Sequence, residues 1–98
     1  MPHFISIKRP HKENFPETMT EEEALIMSQH FQYMKELLDR GKLIVAGPEE
    51  GGTFGVAIFE ADSLEHAKQI AANDPAVKNN IMSVEVYPYR VSLLRGSS

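Results

Sequence analysis

One long helix constrains this chain more than any other feature. Thr20-Glu21-Glu22-Glu23 is a capping box: a hydroxyl N-cap accepts from the backbone three residues on, and the glutamate there reaches back to the cap. The acidic first turn suits the positive end of the helix dipole. Downstream, Gly41 supplies a left-handed C-terminal cap, so the helix is predicted to run from about Glu21 to Arg40.

The flanking segments change period and read as strands. Phe4 to Lys8 (FISIK) is a short β-like run ended by Pro10. Residues 10–19 hold two prolines and several charges without periodicity and read as a loop. Leu43 to Gly47 (LIVAG) reads as a buried strand and Thr53 to Glu60 (TFGVAIFE) as another. Pro48-Glu49-Glu50-Gly51-Gly52 between them is turn chemistry, which predicts an antiparallel hairpin. A second helix starts near Ser63, carries Leu64, Ala67, Ile70 and Ala71 at helical spacing, and ends before Pro75. Met82 to Tyr89 alternates, with Val84 and Val86 on one face and Glu85, Tyr87 and Tyr89 on the other; Pro88 places the end of this strand at a sheet edge.

The order is therefore β-α-β-β-α-β, which predicts an α+β, ferredoxin-like domain: a four-stranded antiparallel sheet with both helices on one face. Residues 1–95 form one domain, and 96–98 read as a loose tail or cloning remnant. The uncovered sheet face draws on Phe4 or Ile5, Phe54 or Phe59, and Tyr87 or Tyr89, so it is not uniformly polar. An exposed apolar sheet face marks an interaction surface, and a homodimer through the open sheet face covers it most simply.

Size points the same way. A 98-residue chain buries little more than half the surface its unfolded form exposes, and small scaffolds usually recruit a disulfide, a metal or a partner subunit. With no cysteine, disulfides, thiolate chemistry and cysteine-ligated zinc are excluded, leaving oligomerisation. The formal net charge of -4 and the scatter of ten Lys and Arg argue against sequence-independent nucleic-acid binding; the one local basic cluster, Lys8-Arg9 with His11-Lys12, falls in a turn-like region. No apolar run approaches a membrane helix and no signal peptide is visible, so the expected location is cytoplasmic. Dispersed histidines and unsuitably spaced glycines suggest neither a metal nor a nucleotide or redox cofactor.

The chemistry centres on His30. At about 100° per residue, Ala24, Phe31, Leu38, Met27, Met34, Leu37 and Ile26 fall in an arc about 160° wide, with His30 between Met34 and Leu37. Burial disfavours a charged imidazole, so such a residue needs a partner. Asp74, fixed by Pro75 after the second helix, is the candidate. Carboxylate pairing sets the histidine tautomer and raises its basicity, which suits general acid/base catalysis. A lone inward histidine is more often a core residue bonded to a backbone carbonyl, and Asp74-Pro75 reads first as a helix-ending turn. Ser63 reads as an N-cap and the five methionines as core filler. Tyr33 lies near the margin of the arc and Ser28 outside it, which makes both secondary candidates.

A resemblance shifts that balance. The run His30 to Pro48 (HFQYMKELLDRGKLIVAGP), then Ala67, Asp74-Pro75-Ala76-Val77 and the closing Val84-Glu85-Val86-Tyr87-Pro88-Tyr89, resembles YCII-related proteins across nearly the whole chain and in the right order. The resemblance implies a ferredoxin-like fold of the dimeric α+β barrel type and an active site built on the helix histidine and the Asp-Pro aspartate, here His30 and Asp74. One branch of that family is linked to dehydrochlorination of chloroaromatics, and most members have no established activity. Where many members have glycine after the Asp-Pro segment this chain has Asn79-Asn80, and asparagine tolerates the left-handed conformation. The expected function is a small-molecule lyase or hydrolase in which His30 is acid or base and Asp74 orients it. The alternative is a non-catalytic small-ligand-binding or accessory dimeric module.

Overall fold

The computed structural model describes residues 1–96, so the last two residues of the expected tail lie outside the described residues. The chain runs β1 (His3–Pro10), α1 (Phe15–Thr18), α2 (Glu21–Asp39), β2 (Leu43–Pro48), β3 (Gly55–Glu60), α3 (Leu64–Ala72), α4 (Pro75–Lys78) and β4 (Met82–Tyr89). The four strands form one antiparallel sheet in the order β2-β3-β1-β4. This is the ferredoxin-like α+β architecture, as the order of periods implied.

The main helix is built as its ends dictate. Both hydrogen bonds of the capping box are present, and Arg40 caps the far end ahead of Gly41 at φ 74°. Ser63 caps α3 by accepting from the His66 N–H. Two short helices escaped the sequence reading. α1 lies inside the expected loop, where Phe15 turns inward and is buried. α4 starts at Pro75 itself, because proline at the first position of a helix lacks only an N–H that would have had no partner there. Asn80 sits at φ 59°, so the asparagine does supply the left-handed turn out of α4.

The register settles which side each strand presents. Phe4, Ser6 and Lys8 of β1 and Ala57 and Phe59 of β3 are buried beneath the helices; Phe4 and Phe59 pack with Met34, Leu37, Leu43 and Ala67 in the main core. A second cluster gathers Phe15, Ala76 and Ile81, joined by Ile26 and Met27. The open face carries Ile5, Ile58, Val45 and Tyr87 in one row across all four strands. Of the alternatives left by the sequence, Ile5 and both Tyr87 and Tyr89 take the open face, while Phe4 and Phe59 take the core.

Two expectations need correction. LIVAG is not a buried strand: only Leu43 is buried, because β2 is a sheet edge, and a register shift between Leu43 and Val45 turns Val45 outward. The inner arc of α2 is also rotated. Ala24, Phe31 and Leu38 along one margin are exposed, Phe31 to 69%, while Glu23 is buried. The apolar margin that looked inward has no element over it, and the acidic Glu23 is drawn in by its capping bond and by Lys12 and His11.

Backbone handedness makes a test. An added Cβ at Gly41 meets open space, whereas at Gly52 (φ 73°) it would overlap the Pro16 ring. Gly41→Ala should cost about 1 kcal/mol, the strain of the left-handed backbone alone. Gly52→Ala should cost measurably more in urea unfolding.

Candidate active site

Asp74 is the N-cap of α4 and has no exposed surface. The residue ahead of a proline is held extended, and at φ -60°, ψ 128° the Asp74 side chain folds back so that Oδ1 accepts the Ala76 N–H at 2.9 Å. The other oxygen, Oδ2, accepts from two sides. His30 Nδ1 lies at 2.6 Å and Lys8 Nζ at 3.0 Å. One carboxylate thus ties β1, α2 and α4 together.

The expected pair is therefore in place, 44 residues apart along the chain. An ionised carboxylate can only accept, so His30 Nδ1 must carry the hydrogen and, in the neutral ring, Nε2 carries the lone pair. The His30 side chain is 21% exposed, so the ring bridges a sealed carboxylate and the surface. Burial alone would raise the Asp74 pKa. The His30 hydrogen bond, the Lys8 charge, the charge of a protonated His30 and the Ala76 N–H outweigh it, so the carboxyl is held below the ordinary range.

Lys8 is the member that sequence reasoning missed. It ends the FISIK run and opens the local basic cluster, which gives no sign of burial, yet in β1 it lies on the same side as Phe4 and Ser6 and its side chain is 7% exposed. Its ammonium also lies 3.8 Å from Met34 Sδ. The signal was present: once Phe4 faces inward, period two brings Lys8 inward with it, and a buried ammonium needs an anion.

The secondary candidates do not join. The Tyr33 hydroxyl donates to the Ile70 carbonyl at 2.7 Å, and Ser28 is exposed. Burial first, then the charge of Asp74, pushes the Tyr33 phenol up. The larger cavity, about 400 Å³, opens between α2 and α3 and is lined by Tyr33, Arg40, Lys42, Glu60, His66 and Gln69 among others. A much smaller void, about 10 Å³, lies beside Ser6, Lys8 and Met34. His30 lines neither. Among the described residues no group of three or more His, Cys, Asp or Glu has the arrangement of a metal site, and no helix is long and apolar enough to cross a membrane.

Comparison with known proteins places this geometry in context. Residues 3–90 match the YCII-related domain. The chain belongs to the YCII-related family. The uncharacterized protein YjpA of Bacillus subtilis (strain 168) is 29% identical over 62 residues, 63% of this chain and 73% of YjpA. Among solved structures, 5-chloro-2-hydroxyhydroquinone dehydrochlorinase from Burkholderia phenoliruptrix AC1100, in complex with 2,5-dihydroxybenzoquinone, superposes with a TM-score of 0.67 at 20% identity, covering 89% of this chain and 93% of that one. Muconolactone isomerase gives a TM-score of 0.67 at 16% identity, covering 100% and 98%. At such identities the likeness is one of fold, and this YCII-related chain shares it from end to end.

Removing the shared anion has a calculable effect. Asp74→Ala leaves the Lys8 ammonium buried without a counter-ion and should cost about 3–5 kcal/mol in chemical unfolding at neutral pH. The pH dependence has a definite sign. The folded carboxyl titrates below the ordinary 3.8, so its stabilisation is complete above that value and is lost as pH falls through the lower folded one. Glu23, lowered from 4.5 to about 2 chiefly by Lys12, adds a loss in the same direction between those values. The acid limb of stability should be shallower in Asp74→Ala than in wild type.

Proposed function

We propose that this YCII-related protein is a small-molecule enzyme of lyase or hydrolase type, in which His30 moves a proton and Asp74 orients it. The observation that carries the reading is the 2.6 Å bond from His30 Nδ1 to a carboxylate with no exposed surface. That bond leaves Nε2 as the free proton acceptor on a partly exposed ring. In one direction Nε2 takes a proton from the substrate as a bond to a leaving group breaks; in the other it returns that proton. Asp74 stays ionised and supports the imidazolium formed between the two steps. The two solved relatives are named for reactions of 5-chloro-2-hydroxyhydroquinone and muconolactone, which makes a small oxygenated organic molecule the substrate class to try first.

A second reading draws on a specific observation. The 400 Å³ cavity has the size of a small-ligand pocket, yet His30 lies outside it. In that reading the domain is a non-catalytic ligand-binding module and His30 serves only to hold α2 to α4.

In either reading the protein works as a homodimer through its open sheet face. Ile5, Ile58, Val45 and Tyr87 form an apolar row on that face, with Val45 54% and Tyr87 47% exposed. Arg9, Glu85 and Tyr87 are linked beside it. Light scattering should give twice the 11.0 kDa chain mass, and Ile58→Asp should return the mass to that of one chain.

The catalytic reading is tested by turnover. Wild type should release chloride from 5-chloro-2-hydroxyhydroquinone or isomerise muconolactone, and His30→Ala should lower kcat by about 10²–10⁴-fold with mass and melting temperature retained. A wild type without turnover, together with a His30→Ala variant that loses only thermal stability, favours the binding module.

A further inference from the structure

Lys8 is an expensive choice for its position. It lies on the core face of β1, opposite Val84 of β4 and Gly55 of β3, in a row that begins with the buried Phe4 and Ser6. Replacing a buried ion pair by apolar side chains of similar volume is often neutral or even stabilising, so folding alone does not call for a lysine here. Its ammonium takes the same oxygen, Asp74 Oδ2, that His30 uses. The two cationic groups are therefore held within about 6 Å of each other across one carboxylate, close enough to influence one another through a low-dielectric interior.

Two consequences follow from that shared oxygen. With a fixed cation on one side, Asp74 remains ionised whatever the state of His30, so it always accepts and Nδ1 always donates. The Lys8 charge also offsets the carboxylate charge seen by the ring. A lone buried carboxylate at 2.6 Å would hold the imidazolium and make it a poor proton donor; a carboxylate already neutralised by Lys8 holds it less. The groups facing the ring are Asp74 at the start of α4 and Lys8 on β1. Tyr33, one turn along α2, has its hydroxyl committed to the Ile70 carbonyl.

We propose that Lys8 is the positioning residue of this site: a buried cation that keeps Asp74 ionised, fixes the His30 tautomer with Nε2 outward, and offsets the carboxylate so that the ring can give up its proton. The proposal rests on the reading of His30 as the proton-transfer group, and it is tested without substrate so that the two can fail separately.

The measurement is the ¹⁵N spectrum of the His30 ring across a pH titration, in wild type, Lys8→Met and Lys8→Arg. Wild type should show a protonated Nδ1 and an unprotonated Nε2 once the ring is neutral. In Lys8→Met the ring should charge at a pH about one unit higher than in wild type, and the Asp74 carboxyl should titrate higher as well. Lys8→Arg, which keeps the charge, should restore both. A folded Lys8→Met whose ring titrates with wild-type midpoint and tautomer overturns the proposal, as does a shift to lower pH or an arginine variant that behaves like methionine. If Lys8→Met does not fold, the wild-type lysine decides: its ¹⁵Nζ signal should remain that of an ammonium throughout the His30 titration, and a neutral amine overturns the proposal.

Discussion

The Asp74 carboxylate is the point on which this molecule turns. It lies with no exposed surface at the junction of a strand, the long helix and a one-turn helix, and each of its bonds comes from a different stretch of the chain. A buried carboxylate on its own would be heavily penalised. Here one backbone N–H, one imidazole and one ammonium meet it, and among the described residues every buried side-chain polar atom has a partner. The site lies where the two apolar clusters meet. Met34, in the main core, is near the Lys8 ammonium, and Ala76, in the second, supplies the N–H to Asp74. The charged contact and the apolar packing thus hold the same joint.

That arrangement explains why one histidine can be both anchored and available. Its inner nitrogen is committed to a sealed anion, while about a fifth of its side-chain surface remains open. Rigidity comes from elements with independent reasons to form: α2 from its capping box, α4 from the Asp-Pro cap, and β1 from pairing on both sides. Their convergence on one oxygen is a property of the packed domain.

Much of the architecture was legible because local chemistry and global fold agree. Thr20 and Gly41 bound α2, Ser63 capped α3, and the alternation from Met82 to Tyr89 matched β4 residue for residue. His30 and Asp74 were legible as a candidate pair because an imidazole in an apolar arc requires a partner. The misreadings share a cause. The burial of LIVAG and the inwardness of Phe31 and Leu38 were inferred from composition and mean spacing, which cannot say which strand is an edge or which flank of a helix is covered.

From the chain alone came the elements, their ends and their order, since caps, turn residues and side-chain period act over a few residues and need no tertiary partner. The packed structure decided the side each element shows to the others. It rotated α2 so that Glu23 rather than Phe31 is enclosed, made β2 an edge, and brought Lys8 to the oxygen already claimed by His30. Contacts between residues 44 or more positions apart depend on how whole elements pack, and the charge balance around Asp74 exists only after they have done so.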